Sequence, residues 1–250
     1  MKIAVCIKRV PDTETRIKIA DDGKSIVEAG VKFTLNPYDE YAMEEALKLK
    51  EAAGEGEVIA IAVGTDSSQE TIRTTLAMGA DRGILLRMED APHDVLATAR
   101  ILATELRDGD YDLILFGKLA IDDYSQAVGT MVGELLGIPS VSAVAILTIS
   151  DGKGTAEREI EGGVEVVEFA LPAVITADKG LNEPRYPALR GIMMAKKKPL
   201  EVRDVSCDLV QVELLSLELP PARAAGRIVG EGVAGVGALI EVLKSEAKVL

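Results

Sequence analysis

The sequence predicts an α/β protein built on a doubly wound, mostly parallel sheet, carrying a β-hairpin insertion and a C-terminal arm. Short apolar runs alternate with helical patterns through the first half of the chain. Beyond Pro139 the pattern changes to short β-rich runs separated by glycine-bearing pairs. Strands that are apolar throughout need cover on both faces, and alternating helices supply it.

The elements follow in order. Residues 3–7 read as a buried strand, and residues 38–53 as a helix with Tyr38, Ala42, Met43, Ala46, Leu47 and Ala53 on one side. A strand at 58–63, a helix at 68–78 and a strand at 83–86 come next. A helix at 95–106, a strand at 113–116 and a helix at 125–136 complete the alternation. Runs at 144–149, 155–160 and 164–169 are separated by Asp151-Gly152 and Gly162-Gly163, which read as hairpin turns because glycine accepts positive φ. Residues 173–177 look like another inner strand. The α/β domain is expected over 1–198, and residues 199–250 form the arm, with Pro220-Pro221 and a closing helix at 236–248.

Composition narrows the function. Aromatic residues are 3% of the chain with no Trp, so aliphatic packing fills the core and a base-stacking surface is not expected. A net charge of -13 with pI near 4.7 disfavours a nucleic-acid partner. Cys6, Cys207 and the single His93 cannot supply a four-ligand zinc or iron–sulfur site, and no disulfide framework is expected. The apolar run at the N-terminus is too short for a signal peptide, and no stretch is long enough to span a membrane. A cytoplasmic protein is the expectation.

Several motifs have plain structural readings. Gly230-Glu-Gly-Val-Ala-Gly235 matches a dinucleotide glycine pattern, yet only 15 residues follow it, too few for the strand and acidic residue the fingerprint needs. It reads as a lead into the terminal helix. Asn36, Pro37, Tyr38 and Asp39 open the first helix, with Asn36 as N-cap and Asp39 and Glu40 at the positive end of the dipole. Glu44 and Glu45 read as a solvated helix face, and His93 as a surface residue, so no acid–base or nucleophilic constellation emerges. The loop Gly117, Lys118, Leu119, Ala120, Ile121, Asp122, Asp123, Tyr124, Ser125, Gln126, Ala127, Val128 differs. It follows a strand and runs into a helix, the place where such sheets bind ligands. Gly117 permits close backbone approach, and Ser125 and Gln126 offer hydrogen bonds. Asp122 and Asp123 would repel a phosphate, and suit ribose hydroxyls, backbone organisation or capping. Gly129 and Gly133 would let the following helix pack closely on its neighbour.

The stretch 176–198 carries Pro184, Pro187 and Gly191, then apolar Leu189, Ile192, Met193 and Met194 beside Lys196, Lys197 and Lys198. Its prolines and charges make it a poor core element. A projecting loop with an apolar tip and a basic stem suits the gripping of another protein.

Taken together, Val5-Cys-Ile-Lys-Arg-Val-Pro-Asp12, residues 36–51, residues 69–83, Gly117 to Asp123 and residues 176–198 resemble the beta subunit of electron transfer flavoproteins. The resemblance runs from Met1 to about Val202 and more weakly into the arm. It implies a Rossmann-like adenine-nucleotide-binding fold with no catalytic residues and no metal. It also implies an electron carrier subunit paired with an alpha subunit that holds most of the FAD. The beta subunit would bury a structural AMP at Cys6, Asn36 to Asp39, Val63 and Gly117 to Val128, with Cys6 and Val63 contributing backbone. Residues 177–199 would form the partner-recognition loop, with Leu189 as anchor beside Arg185, Tyr186, Ile192, Met193 and Lys196 to Lys198. Docking partners would be flavin dehydrogenases such as acyl-CoA dehydrogenases, and the acceptor a quinone oxidoreductase.

One departure bears on the ligand. Many AMP-type members of that family read Asp-Asp-Asp-x-Asn-Gln-Thr-Gly where this chain has Asp122-Asp-Tyr-Ser-Gln-Ala-Val-Gly129. Val128-Gly129 leans towards electron-bifurcating relatives that carry a second FAD. Asp123 and Asn182-Glu-Pro-Arg-Tyr186 lean towards AMP, which is the favoured reading. A stand-alone adenine-nucleotide-binding protein is the remaining alternative.

Overall fold

The computed structural model describes residues 1–89, 93–206, 210–223 and 225–250; Cys207 lies outside them. The chain packs as two units, Met1–Ser216 and Leu217–Leu250. In the first, β1 (Lys2–Ile7), β2 (Arg9–Pro11), β3 (Phe33–Leu35) and α1 (Pro37–Ala53) are followed by β4 (Glu57–Gly64), α2 (Ser68–Met78) and β5 (Arg82–Arg87). Then come α3 (Val95–Arg107), β6 (Leu113–Gly117), α4 (Val128–Leu136), β7 (Ser140–Ser150), β8 (Lys153–Ile160), β9 (Gly163–Ala170) and β10 (Ala173–Ala177). Helix α5 (Leu189–Ala195) and β11 (Leu200–Asp204) close the unit.

Nine strands form one sheet in the order β11-β5-β4-β1-β6-β10-β7-β8-β9. The ladders from β11 to β7 are parallel, and those joining β7, β8 and β9 are antiparallel. The alternation within β1 shows why both faces are covered. Ile3, Val5 and Ile7 pack with Ala42, Met43, Ile72 and Leu76 of α1 and α2, while Ala4 and Cys6 pack with Ala99, Leu102 and Val132 of α3 and α4. Fully buried side chains such as Ile3, Ile59, Leu85 and Leu115 each stabilise the fold by about 1.5–3 kcal/mol. The doubly wound α/β reading holds.

The differences are local and have causes. Helix α4 begins at Val128 rather than 125, because Tyr124 (φ 56°) and Gln126 (φ 53°) adopt the left-handed conformation that no helix continues. Gly129 and Gly133 bring α4 against the sheet: a Cβ on Gly129 would lie 2.7 Å from Thr176 Cγ2, and one on Gly133 2.7 Å from Ser140 Cβ. Strand β7 starts at Ser140, pairing with β10 before a shift in register sends it antiparallel to β8. The first hairpin turns on Asp151 and Gly152 (φ 51° and 76°), as read. The second turns on Glu161-Gly162, since Gly163 already pairs with Ile160. The arm boundary drawn at 199 falls just before β11, whose residues pair with β5 at the sheet edge. Arg87 fastens that edge to Asp204 at 2.6 Å.

In the second unit a short turn of 3-10 helix, Val233–Gly235, leads into α6 (Val236–Ser245). Gly230 and Gly235 abut, so a Cβ on Gly230 would lie 2.7 Å from the Gly235 Cα. The glycine motif here serves a tight backbone crossing. Val236, Leu239 and Ile240 on α6 are exposed. No described helix is long and apolar enough to cross a membrane.

Candidate functional site

Strand β1 lies between β4 and β6, and the chain moves outward through β4 and β5 before α3 carries it back to β6. The carboxyl ends of β1 and β6 are therefore a topological switch point, where open α/β sheets leave a crevice for ligands. Three segments converge there: Lys8 after β1, Asn36 to Asp39 entering α1, and the loop after β6. Cys6 pairs with Ile61 on one side and Phe116 on the other, with its side chain buried in the α3–α4 layer. Burial pushes its thiol well above the ordinary value. Val63 packs on that same layer.

Asp39 holds these segments together. Its Oδ2 accepts from the Lys8 amide at 2.7 Å, and its Oδ1 from the Gly117 amide at 3.1 Å and from Asn36 Nδ2 at 2.9 Å. Desolvation pushes its carboxyl up to about 7, against the opposing pull of those donors. Asn36 does not cap α1 with its side chain. Its amide instead donates to the Leu119 carbonyl at 2.8 Å and accepts from the Ile121 amide at 3.2 Å, bracing the loop across the crevice. Pro37 takes the first helical turn. Tyr38 lies under the Lys118 ammonium, 5.4 Å from the ring centre.

The rest of the loop grades from buried Leu119 through half-buried Ala120 and Ile121 to exposed Asp122, Asp123, Tyr124, Ser125 and Gln126. Lys8 Nζ reaches Asp122 at 2.8 Å and Asp123 at 2.9 Å, offsetting one of the two negative charges that made this loop unpromising for phosphate. Those carboxylates raise the Lys8 pKa against the opposing effect of its burial. Asp123 also accepts from the Ser125 amide at 2.9 Å. Ala127 occupies the N-cap position of α4 without a side-chain cap, so the first amides of α4 from Val128 have no such partner.

The stretch after β10 is more built than a projecting loop. Helix α5 docks on α2: a Cβ on Gly191 would collide with the Ala77 carbonyl oxygen. Arg73 of α2 donates to the carbonyls of Ala195 and Lys198, both at 2.7 Å. Glu44 and Glu45, expected on a solvated face, are buried beneath this stretch. Arg185 bonds Glu44 and also Glu51, at 2.8 and 2.6 Å, and Asn182 donates to Glu45 at 2.9 Å and to the Tyr41 carbonyl at 3.0 Å. Tyr186 (95% exposed), Leu189 (76%) and Met193 (67%) face outward with Ile192.

A family model described as "Electron transfer flavoprotein domain" matches residues 24–207. The chain is 43% identical over 250 residues to "Electron transfer flavoprotein subunit beta" of Syntrophomonas wolfei, covering 100% of this chain and 98% of that protein. It is 42% identical over 260 residues to the same subunit of Bacillus subtilis, covering 100% of each. With the human subunit it shares 43% over 233 residues, covering 90% of this chain and 91% of the other. The chain belongs to the electron transfer flavoprotein beta subunits.

In this beta subunit Lys8, Asn36, Asp39, Gly117, Leu119 and Ile121 are bonded together at the switch point, Cys6 and Val63 lie in the α3–α4 layer, and the expected docking residues divide. Lys196 and Lys197 are exposed beside Leu189. Arg185 is committed to α1, and Lys198 Nζ donates to the carbonyls of Leu76 and Ala80 at 2.9 and 2.6 Å, closing the end of α2. Both hold the stretch in place rather than standing free. Nothing local in the sequence places Lys8 in the crevice, because its pairing with Asp122 and Asp123 spans more than a hundred residues. Asp178, bonded to Lys118 Nζ at 2.7 Å, was missed for the same reason. Among the described residues no group of His, Cys, Asp and Glu is placed to hold a metal ion.

Proposed function

We propose that this beta subunit holds one structural AMP in the β1–β6 crevice and presents residues 177–199 to flavin dehydrogenases. The alpha subunit is its partner and carries most of the FAD, which supplies the redox centre of the pair. Electrons would pass from docked dehydrogenases, such as those oxidising acyl-CoA, to a quinone oxidoreductase in a cytoplasmic setting. The residues 199–250 would pack on the alpha subunit, a reading supported by the exposed apolar face of α6.

The observation that carries the nucleotide reading is the uncapped start of α4 beside an acid pair of which Lys8 offsets one charge. Orphan amides at a helix N-terminus favour a phosphate. Asp122 and Asp123 then act as organisers of the loop through Lys8 and the Ser125 amide. Tyr124 and Gln126, held at positive φ, are the kind of backbone conformation retained where a ligand is gripped. Cys6 and Val63 would line the crevice with backbone. The docking reading is supported by Leu189 and Met193, exposed among the described residues on a helix that α2 holds, and by exposed Tyr186 just before that helix.

The test is to purify the complex with its alpha partner, denature it and count the released nucleotides. One FAD and one AMP per pair supports the reading. Two flavins would move the chain to the bifurcating type, and absence of a flavin-bearing partner would overturn the subunit role.

A further inference from the structure

Residue Lys118 belongs to the crevice and to the docking stretch at once. Its backbone amide donates to the carbonyl of Ala177, the last residue of β10, at 2.8 Å. Its ammonium bonds Asp178, the first residue beyond β10, at 2.7 Å, with both side chains only 24% exposed. The other oxygen of Asp178 accepts from the Lys179 amide at 2.7 Å, and the Asp178 amide donates to Val144 at 2.9 Å. One carboxylate thus sets the direction in which the docking stretch leaves the sheet. Helix α1 repeats the pattern: Asn36 and Asp39 at its start shape the crevice, while Tyr41, Glu44, Glu45 and Glu51 on its later turns hold Asn182 and Arg185.

We infer that the Lys118–Asp178 pair is a positioning strut through which a mononucleotide in the crevice orders the root of the docking stretch. This rests on the AMP reading above. The Lys118 backbone is already fixed by its bond to Ala177, so the freedom that a ligand in the crevice removes is that of the Lys118 side chain, 24% exposed over the Tyr38 ring. A lysine already fixed loses less on pairing with Asp178, and the pair tightens. By linkage, a partner that needs an ordered root at 178–188 strengthens nucleotide retention by the same factor.

Hydrogen exchange of the intact complex with its alpha partner tests this, comparing nucleotide-stripped protein with protein reloaded with AMP. The native complex should show slower exchange on AMP addition at 117–127 and, by at least about 5-fold, at 178–188. Asp178→Asn should keep the protection at 117–127 and lose it at 178–188, and Asp178→Glu should restore part of it. If AMP protects 117–127 but leaves 178–188 unchanged in the native complex, the strut is overturned while the nucleotide site stands. Protection at 178–188 that survives Asp178→Asn also overturns it. If AMP protects neither segment, the nucleotide reading fails and takes the strut with it.

Discussion

The backbone amide of Gly117 donates to Asp39 Oδ1 at 3.1 Å, tying the end of β6 to the first turn of α1. The same glycine leaves no room for a side chain: a Cβ would lie 2.6 Å from the Tyr38 carbonyl carbon and 2.7 Å from Tyr38 Cβ. Both facts have one cause. Helix α1 enters across the backbone of residue 117, which brings Asn36 within reach of Leu119 and Ile121. The close backbone approach that Gly117 permits includes that of α1.

Gly117→Ala should therefore destabilise the protein by about 1–3 kcal/mol, because backbone must move to accommodate the methyl group. A urea titration reads this directly. An unchanged midpoint would show that α1 can withdraw freely, and the joint between α1 and β6 would not be rigid.

Acidity gives a second handle on the same joint. The unfolded chain releases the Asp39 proton near about 4, whereas burial holds the native carboxyl up to about 7. Between those values the native state binds the proton and the unfolded state does not. The contribution from Asp39 is then complete at low pH and is lost as pH rises through the native value. Melting temperatures of the native protein and Asp39→Asn, compared from acid to neutral pH, cancel the other carboxylates. The difference should move against the native protein as pH rises, and a flat difference would mean that the three N–H donors balance desolvation.

Docking and positioning should separate in two variants. Leu189 is 76% exposed, so Leu189→Ala should change stability by no more than about 0.5 kcal/mol while reducing electron transfer from a dehydrogenase at unaltered flavin content. Arg185→Ala strips Glu44, whose side chain is 7% exposed, of its cation. It should cost about 3 kcal/mol, since an unpaired buried charge remains. Equal stability losses in the two would contradict this division of labour.

The sheet and most helices were legible because their signals are local. Strand β1 is apolar at every residue after Lys2, and α1 opens with Pro37 and closes at Gly54, which adopts φ 71°. The crevice was legible in place, as the loop following a central strand. Its chemistry was less so, because charge balance there depends on Lys8 meeting Asp122 and Asp123 through folding. Glu44 and Glu45 misled for a related reason: nothing within α1 reveals that Arg185 and Asn182 will cover them. Strand β11 was hidden by its composition, with only Leu200 and Val202 alternating against charge. The left-handed Tyr124 and Gln126 carry no glycine signal at all.

The single carboxylate of Asp94 serves two elements. Its Oδ1 caps α3, accepting from the amides of Leu96 and Ala97 at 2.8 and 3.2 Å. Its Oδ2 accepts from the amides of Gln211 and Val212 at 2.7 and 3.2 Å, latching the chain beyond β11 to that helix. These donors, Gln211 foremost, hold its pKa below the ordinary carboxylate value. The latch is therefore complete above the unfolded pKa and is lost as pH falls through the native one. Asp94→Asn retains a good N-cap but has a single oxygen, so it cannot serve both ends. Amide exchange at 211 and 212 should accelerate in that variant while α3 keeps its protection, and the acid sensitivity of this segment should disappear. Equal exchange at 211 and 212 in the two proteins would show that something other than Asp94 holds the segment.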